Sequence, residues 1–460
     1  MSIFKAYDIR GIYGRELTDV IAEKIGFALI KYTKTKNIVV GYDSRNSSIN
    51  LLNAFSKGAV KAGAKITNIG LVSKPMLNWV AIRFRYDLGV MITASHNPKE
   101  YNGFNFMKGR NVLHYNNGLK EIEKIVNRLN FDNLKNKDKN LKKDLEKKVI
   151  KKNYLNQYIA FLSKKINRNN LKKLKVVGDA SNGGDGKILE LLMKKNNINC
   201  KLIFTEPNGD FPNHDPNPLK DEAFGALRKK VLENKADFGF MVDPDADRVR
   251  FVDEKGNILD NSYVQALIIR YLLQKHKKSF IVREITSRII VSETIKSFNG
   301  TEIISKVGHP NIIDNMNKHK AIYGCESSGH NFFRDFYNLD SGIFMIITFI
   351  NMYLSQNKKV SELINELKKY NFLEKNYNIE KDYKKILHLI KKHFLLNKKK
   401  YEIKEINNID GLTIISKNFW FNIRSSNTEP LMRFKIESES LFILKKITYH
   451  IENIIKKPDI

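Results

Sequence analysis

Residues 93–98 (TASHNP) carry a serine placed where it could act as a nucleophile. Ser95 follows the apolar run 89–92 (GVMI) and precedes Pro98, so its hydroxyl is expected at the tip of a strand-to-turn junction. A serine at such a junction is held in place, as a hydroxyl that forms a covalent intermediate must be. The same residues also fit an ordinary polar turn that ends at proline, and this segment alone does not decide between the two.

Three aspartates alternate with small residues in the segment 243–248 (DPDADR). Asp243, Asp245 and Asp247 would repel one another on one loop unless a divalent cation bound them, and oxygen ligands suit Mg²⁺. Arg248 would add a fixed positive charge for a phosphoryl group in transfer. A calcium-binding EF-hand is excluded, because that loop needs glycine where this segment has arginine and because the apolar flanks indicate strands. A solvated acidic turn between two strands remains the alternative.

Two later segments carry groups that bind sugars and phosphates. Residues 326–330 (ESSGH) offer Glu326 as an acceptor and Ser328 as a hydroxyl for vicinal sugar hydroxyls. His309 precedes them and could shuttle a proton near neutral pH. Residues 424–430 (RSSNTEP) combine a guanidinium with hydroxyls and an amide, which suits a phosphate dianion. By themselves, the first segment also fits a capped turn, and the second fits a loop between strands.

Short β-branched runs that alternate with amphipathic stretches predict an α/β protein. The expected strands are 38–41, 88–92, 175–178, 238–242 and 411–415, and the expected helices are 51–62 and 188–196. In such sheets ligands gather beyond the carboxyl ends of the strands, and Ser95 and Asp243 each follow a predicted strand. The apolar run 343–354 is shorter than the roughly 20 residues of a membrane span and predicts a buried helix.

The composition is that of a globular protein with several domains. Of 460 residues, 42% are hydrophobic and 28% are charged, and the two cysteines are too few for a disulfide framework or a zinc site. No signal peptide is predicted, so we expect a cytoplasmic protein that is not bound to a membrane. We also expect a monomer or small homo-oligomer. The net charge of +31 comes from lysines spread along the chain, which argues against a nucleic-acid partner. The densest run, 135–152, interleaves acidic residues as a solvated helix face does.

The four segments occur in the order found in the α-D-phosphohexomutase superfamily, and the chain resembles its bacterial phosphomannomutase/phosphoglucomutase branch from end to end. Residues 4–11 (FKAYDIRG) and 208–213 (NGDFPN) resemble two further segments of that family. The resemblance implies an α/β protein with four domains around a central cleft: three similar mixed α/β domains and a C-terminal α+β domain. The expected domains are 1–148 for the phosphoserine loop, 149–253 for metal binding, 254–368 for sugar recognition and 369–460 for phosphate binding.

The resemblance further implies an intramolecular phosphotransferase that interconverts the 1- and 6-phosphates of mannose, with glucose as a further sugar. A phosphoserine at Ser95 and a hexose 1,6-bisphosphate would be its intermediates, and the bisphosphate would also activate it. The implied catalytic residues are Ser95, His96, Arg248, Lys306 and His309. The implied phosphosugar-binding residues are Tyr7, Arg10, Glu326, Ser328, Arg424, Ser426, Asn427 and Thr428. The implied Mg²⁺ ligands are Asp243, Asp245, Asp247 and the phosphorylated Ser95.

The chain departs from the family pattern in ways that leave alternatives open. Family members usually have lysine after the motif at 102–104 (NGF), where this chain has Asn105, and that lysine is a candidate general acid or base. Lys108 could replace it if the loop shifted. Cys325 stands where glycine is usual. Within the family, a phosphoglucosamine mutase stays open, and Asn105 motivates a catalytically impaired phosphosugar-binding member. The net charge of +31 motivates a third alternative, a nucleic-acid-binding protein.

Overall fold

The computed structural model describes residues 2–130, 141–378, 383–425 and 431–456. The chain divides into two compact units. The first unit comprises Met1–Val264 and Ser328–Glu362, and the second comprises Gln265–Ser327 and Leu363–Ile460. Two stretches that are distant in sequence therefore build each unit.

The described residues form twenty-one strands and fifteen helices. The strands are β1 (Ile9–Ile12), β2 (Asn37–Tyr42), β3 (Lys65–Leu71), β4 (Leu88–Ile92), β5 (Tyr101–Lys108), β6 (Asn111–Val112), β7 (Val149–Lys151), β8 (Lys175–Asp179), β9 (Asn199–Ile203), β10 (Phe238–Val242), β11 (Val249–Asp253), β12 (Phe280–Glu284), β13 (Thr301–Ser305), β14 (Tyr323–Cys325), β15 (Asn331–Phe333), β16 (Leu339–Asp340), β17 (Asn371–Asn378), β18 (Ile403–Asn407), β19 (Leu412–Ser416), β20 (Trp420–Ser425) and β21 (Leu431–Ser438). The helices are α1 (Asp19–Thr33), α2 (Ser48–Lys61), α3 (Lys74–Arg83), α4 (Leu119–Arg128), α5 (Leu141–Lys148), α6 (Leu155–Ser163), α7 (Gly186–Lys195), α8 (Gly225–Glu233), α9 (Asn261–Lys275), α10 (Ile289–Ser297), α11 (His309–His319), α12 (Gly342–Tyr353), α13 (Val360–Asn365), α14 (Tyr383–Leu396) and α15 (Leu441–Lys456).

A seven-stranded mixed sheet opens the first unit, with the order β1-β5-β4-β2-β3-β7 and with β6 beside β5. The strands β4, β2, β3 and β7 run parallel, whereas β5 is antiparallel to β1, β4 and β6. Every residue of β4 is buried, as expected of a central strand covered on both faces. Helices α1, α2 and α4 pack against one another on this sheet, and their apolar faces form its main core. The sheet thereby fixes the end of β4, from which residues 93–98 emerge.

A second sheet in the first unit has the order β11-β10-β8-β9. Strands β10 and β11 form an antiparallel hairpin, and β10 and β9 run parallel to β8. Helix α12 packs on this hairpin, where Phe349 stacks on Phe251 with ring centroids 4.2 Å apart. The apolar run 343–354 is thus a buried helix, as predicted. No helix in the described part of the chain is long and apolar enough to span a membrane.

The second unit holds a parallel set and an antiparallel sheet. Strand β12 runs parallel to both β13 and β14. The antiparallel sheet has the order β17-β21-β20-β19-β18, and helices α14 and α15 supply apolar side chains to its core. A mixed α/β part is therefore followed by a C-terminal α+β part of different topology, as predicted.

The sequence predicted the central elements with small errors at their ends. The expected strands correspond to β2, β4, β8, β10 and β19, and the expected helices correspond to α2 and α7. The lysine-rich run 135–152 is not one helix face, because residues 149–151 form β7, which pairs with β3. The first sheet therefore extends three residues past the boundary expected at 148. Residues 131–140 of that run lie outside the described residues.

Candidate active site

Ser95 lies just beyond the carboxyl end of β4, in a sharply turned segment. Its backbone N–H donates a hydrogen bond to Thr93 Oγ1 at 2.8 Å. Its φ of 51° falls in the left-handed region, which residues other than glycine seldom adopt. The serine is 3% exposed, so it is not part of a solvated turn. The predicted strand-tip position is confirmed, and backbone strain of this kind is concentrated at functional sites.

The Ser95 hydroxyl contacts three polar side chains. Its Oγ donates to Asp243 Oδ2 at 3.0 Å and accepts from Arg248 Nη1 at 2.7 Å. His96 Nδ1 lies 3.1 Å from the same Oγ and 2.9 Å from Arg248 Nη1. A guanidinium can only donate, so Nδ1 is the unprotonated nitrogen of the His96 ring. The structure thus brings a hydroxyl, a carboxylate, a neutral imidazole and a guanidinium to one point.

The three aspartates of segment 243–248 lie in the turn between β10 and β11. The flanking elements are strands, as predicted. The turn is held closely by its surroundings, because a Cβ on Gly183 would lie 2.4 Å from the carbonyl oxygen of the proline in this turn. Asp243, Asp245 and Asp247 are all at most 3% exposed. The alternative of a solvated acidic turn is therefore wrong.

Burial and mutual repulsion act on the protonation of these carboxyls. Burial together with the charges of Asp247 and Asp243 raises the pKa of Asp245 well above its usual range. Burial and Asp247 likewise raise the pKa of Asp243. Burial would also raise the pKa of Asp247, but Lys74 and other nearby positive groups outweigh it and hold that pKa well below its usual range. The site therefore concentrates more negative charge than its own cations neutralise.

His96 is kept neutral by the same surroundings. Burial and the charges of Arg248 and Arg10 lower the pKa of His96 well below its usual value. A neutral imidazole lets the Nδ1 lone pair accept from Arg248 Nη1, which also donates to the Ser95 hydroxyl. The ring is therefore suited to holding the guanidinium beside that hydroxyl.

Asp243, Asp245 and Asp247 fit a metal ion. One carboxylate oxygen from each lies within 4.8 Å of the others. Asp245 Oδ1 and Asp247 Oδ1 are buried and accept no hydrogen bond from the described residues, although Arg248 Nη1 lies 3.3 Å from Asp247 Oδ1. Buried carboxylate oxygens without a donor are costly, and a divalent cation bound by oxygen ligands would remove that cost.

Lys74, His330 and Asp340 complete this cluster, although none was predicted as a site residue. Lys74 Nζ lies 2.6 Å from Asp247 Oδ2 and 3.3 Å from Asp340 Oδ2, and His330 Nδ1 lies 2.8 Å from the same Asp340 oxygen. Asp247, His330 and Asp340 also converge like metal ligands, but the ammonium of Lys74 already supplies a cation there. Lys74 and Asp340 lie at or just before the starts of the helices α3 and α12, where polar residues are common in proteins without such sites, and His330 ends the segment 326–330.

Arg10 reaches the serine loop from β1. Its Nη1 donates to Asn97 Oδ1, and its Nη2 donates to Asp8 Oδ2 at 2.6 Å. Tyr7 is half-buried in the segment that precedes β1. The structure therefore joins Arg10 to the Ser95 cluster.

Glu326 contacts Gly308, the residue that precedes His309, in the second unit. Glu326 Oε1 accepts a hydrogen bond from the Gly308 N–H at 2.7 Å, and His309 is the first residue of α11. Lys306 is exposed just before them, at the end of β13. Ser328 is half-buried and belongs to the first unit. The structure thus brings together two of the residues predicted to act on the sugar.

Arg424 lies near the end of β20, where its Nη1 donates to the carbonyl oxygen of Ser425 at 3.0 Å. The residue is buried. The other predicted phosphate-binding residues, Ser426, Asn427 and Thr428, lie outside the described residues.

Asn105 lies in the middle of β5, opposite Met91 of β4. The register between these strands is continuous from Phe104 to Lys108, so the loop shift that would let Lys108 replace the family lysine does not occur. Lys108 Nζ instead donates to the carbonyl oxygen of Thr33 at 3.3 Å. The suggestion that Lys108 substitutes for this lysine is therefore wrong.

Three sequence models of one family match consecutive parts of the chain. They describe phosphoglucomutase/phosphomannomutase alpha/beta/alpha domain I over residues 1–133, domain II over 153–256 and domain III over 260–370. These matches leave the antiparallel sheet of the second unit as a further, C-terminal domain.

Full-length relatives agree with these matches. The chain is 34% identical to a phosphomannomutase of Methanocaldococcus jannaschii, over 100% of this chain and 98% of the relative. It is 31% identical to a phosphomannomutase of Vibrio cholerae, over 100% of this chain and 99% of the relative. Its fold is similar to a crystal structure of a phosphoglucomutase/phosphomannomutase family protein from Burkholderia thailandensis, with a TM-score of 0.86, 25% identity and coverage of 99% of this chain and 97% of that one.

Proposed function

The chain belongs to the phosphoglucomutase/phosphomannomutase family of the α-D-phosphohexomutase superfamily, and we propose that it interconverts the 1- and 6-phosphates of mannose, with glucose as a further sugar. The observation that carries this proposal is the Ser95 hydroxyl, which lies within hydrogen-bonding distance of Arg248 and Asp243. A hydroxyl held against a fixed cation and beside a candidate metal site is suited to accept and return a phosphoryl group.

In the proposed cycle Ser95 carries the phosphoryl group in the resting enzyme. The bond between Ser95 Oγ and phosphorus breaks, and phosphorus bonds to the free hydroxyl oxygen of a hexose 1- or 6-phosphate. The proton of that hydroxyl ends on Ser95 Oγ, and the product is a hexose 1,6-bisphosphate. The reverse transfer from the other phosphate restores phospho-Ser95 and releases the isomerised monophosphate.

The side chains around Ser95 have separate proposed roles in this cycle. Arg248 Nη1, at 2.7 Å, stabilises the negative charge that develops on Oγ as the phosphoryl group leaves. His96 accepts from Arg248 through its unprotonated Nδ1 and holds the guanidinium beside Oγ for both transfers. Arg10 holds Asn97 of the same loop and lies where it can meet a phosphate oxygen.

Asp243, Asp245 and Asp247 would hold Mg²⁺, together with the phosphate on Ser95. The bound ion would neutralise charge on the phosphoryl oxygens during transfer. The buried oxygens of Asp245 and Asp247 that accept no hydrogen bond support this assignment. Without the ion, the carboxylates and the incoming phosphate would repel each other.

The remaining assignments extend the family resemblance to this chain. We propose that Tyr7, Glu326 and Ser328 bind the sugar, and that Lys306 and His309 act near its reacting hydroxyl. The phosphate that is not being transferred would be bound by Arg424, Ser426, Asn427 and Thr428. The expected division of labour among the phosphoserine, metal-binding, sugar-binding and phosphate-binding domains is part of the same proposal, as are a cytoplasmic location and a monomeric or small homo-oligomeric state.

The two other proposals within this family differ in substrate or in activity. A phosphoglucosamine mutase would use the same Ser95 cluster and differ only in sugar. A catalytically impaired member is motivated by Asn105, because no lysine lies at that position of β5. These alternatives separate in one assay, since the first converts a different sugar phosphate and the second converts none.

The test is phosphorus NMR of the purified protein with Mg²⁺ and a trace of the matching hexose 1,6-bisphosphate. The 1-phosphates of mannose, glucose and glucosamine are offered separately to the wild type, to Ser95→Ala and to Ser355→Ala. The last is the control, because Ser355 is an exposed serine outside the cluster. We expect mannose 6-phosphate to appear fastest with the wild type and the control, and not with Ser95→Ala. Full activity of Ser95→Ala would overturn the mechanism, and conversion of none of the three sugars by folded, phosphorylated wild type would overturn the function.

A further inference from the structure

Arg45 occupies the centre of the serine loop, although no motif in the sequence pointed to it. Its side chain is fully buried, and its Nε donates to Asp43 Oδ2 at 3.2 Å. Four backbone carbonyl oxygens of the loop 95–101 accept its other hydrogen bonds. They are Ser95 O at 2.7 Å and Asn97 O at 2.6 Å from Nη2, and Pro98 O at 2.7 Å and Tyr101 O at 2.9 Å from Nη1. All five N–H groups of the guanidinium are therefore used.

One side chain thus fixes the path of the whole loop. Ser95 has a strained, left-handed backbone, and its carbonyl is one of the four that Arg45 holds. Asp43 is itself held by the Ser48 hydroxyl, which donates to Asp43 Oδ1 at 2.7 Å. Without the guanidinium, carbonyl groups turned into the protein interior would lose their donor, which favours a different loop path. The direction of Ser95 Oγ therefore depends on Arg45.

The segment 208–213, which the sequence comparison with the family singled out, covers this guanidinium. The Phe211 ring lies over Arg45, with its centroid 5.2 Å from Cζ. Gly209 makes the close approach possible, because a Cβ there would lie 2.5 Å from the backbone nitrogen of Asn46. Phe211 is itself buried. The segment therefore keeps water away from the hydrogen bonds that Arg45 makes with the serine loop.

We propose that Arg45, covered by Phe211, is a positioning residue that holds Ser95 in the geometry required for phosphoryl transfer. The proposal deepens the mutase assignment and rests on it for its kinetic prediction. The side-chain hydrogen bonds of Arg45 go to Asp43 and to loop carbonyls, not to the hydroxyl of Ser95 or to the three aspartates, so it acts through the loop backbone. Its loss should lower kcat by about 10²-fold, the effect of misplacing a reacting atom by about 1 Å. KM should stay within about threefold, because sugar binding is not what this residue provides.

The experiment compares Arg45→Met, Arg45→Lys and Phe211→Leu with the wild type in kcat, KM and cleavage by trypsin after Lys99. Lys99 lies inside the clamped loop and its side chain is exposed, so cleavage there reports on loop opening without any substrate. We expect Arg45→Met to show the full loss of kcat and at least about tenfold faster cleavage at Lys99. Arg45→Lys can replace only some of the five hydrogen bonds and should be intermediate, as should Phe211→Leu.

Arg288→Met is the matched control for removing a buried arginine. Arg288 also donates its Nε to a buried carboxylate, Glu437, and also lies over a ring, that of Phe372 at 4.7 Å. Arg288→Met should lower the unfolding temperature without speeding cleavage after Lys99. The proposal is overturned if folded Arg45→Met keeps kcat within about threefold of the wild type. It is also overturned if Arg288→Met speeds cleavage after Lys99 as much as Arg45→Met does. If Arg45→Met does not fold, Arg45→Lys and Phe211→Leu decide in the same way. If the wild type converts no sugar, the mutase function fails, and cleavage at Lys99 still decides whether the clamp exists.

Discussion

Lys74→Met removes one of two permanent cations from the buried cluster. When all carboxyls are ionised, the cluster carries four negative charges and two positive ones, a net charge of −2 that one divalent cation neutralises. The negative groups are Asp243, Asp245, Asp247 and Asp340, and the positive groups are Lys74 and Arg248. Methionine keeps most of the side-chain volume of lysine and leaves a net charge of −3. We therefore expect the variant to be less stable without metal and to bind a divalent cation more tightly.

The size of both effects follows from the contacts. Lys74 Nζ lies 2.6 Å from Asp247 Oδ2 and 3.3 Å from Asp340 Oδ2, and all three side chains are at most 6% exposed. Removing one partner from a buried ion pair costs about 3–5 kcal/mol. Metal affinity should rise by at least about tenfold, since one unit charge at close range is worth more than the 1.4 kcal/mol that a factor of ten requires. The loss of stability should therefore shrink by about 1.4 kcal/mol or more in saturating Mg²⁺.

The assay uses the two tryptophans of the chain. Trp79 lies on α3, the helix that begins at Lys74, whereas Trp420 lies in the second unit, so a Trp420→Phe background isolates the signal of Trp79. Urea unfolding followed by Trp79 fluorescence, in EDTA and in Mg²⁺, gives the two free energies of unfolding. Titration with Mn²⁺, followed by electron paramagnetic resonance, gives the metal affinity without any turnover.

Lys165→Met is the matched control for this change. Lys165 pairs with Asp335 at 2.8 Å in the same unit, but both side chains are substantially exposed. Lys165→Met should lower the free energy of unfolding by no more than about 1 kcal/mol and leave the affinity for Mn²⁺ unchanged. Equal unfolding curves for Lys74→Met and the wild type in EDTA would refute the stability argument. A weaker affinity for Mn²⁺ would refute the charge argument and would show that Lys74 serves to orient Asp247.

Two further predictions concern pH dependence and turnover. Burial alone would lower the pKa of His214, but its hydrogen bond to Asp179 and the charge of that carboxylate outweigh burial and raise it. The interaction between His214 and Asp179 therefore makes its full contribution to stability below about pH 6.5, the usual pKa of histidine. This contribution is lost as pH rises through the higher pKa that His214 has in the folded protein. Unfolding temperatures of the wild type and His214→Gln should converge as pH rises from 6 to 9, and a constant difference would contradict this. Asn105→Lys should raise kcat at least about tenfold if β5 presents the lysine as a proton shuttle, whereas no gain over Asn105→Ala would show that this chain uses another group.

The sequence could predict the fold where local patterns reflect burial. The strands β4 and β10 are buried along their whole length, so each reads as an unbroken apolar run that ends at a polar segment. Ligand-binding groups gather at the carboxyl ends of such strands, so Ser95 and Asp243 could each be expected at a site of chemistry. Strands β4 and β10 belong to different sheets, and only the family resemblance implied that the two residues meet. The hydroxyl and the carboxylate do meet, at 3.0 Å.

The partners of these groups could not be predicted, because they come from distant parts of the chain. Lys74 is 173 residues from Asp247 and 266 residues from Asp340. Arg45 reaches the serine loop from the segment that follows β2, the neighbour of β4, and this segment reads as an ordinary polar turn. Strand β7 could not be predicted for a similar reason, since only its pairing with β3 shows that residues 149–151 belong to the first sheet.

The charges of segment 243–248 nevertheless indicated how many metal ions the site needs. Three aspartates and Arg248 already give the net charge of −2 that calls for one divalent cation, and Lys74 and Asp340 add a neutral pair to it. The pair therefore leaves unchanged the number of ions that the site needs. This has a direct test, because Lys74→Met/Asp340→Asn restores −2 and keeps an acceptor for His330. The affinity of the double variant for Mn²⁺ should return to within about threefold of the wild type. If the double variant instead binds Mn²⁺ as tightly as Lys74→Met alone, net charge does not control metal binding at this site.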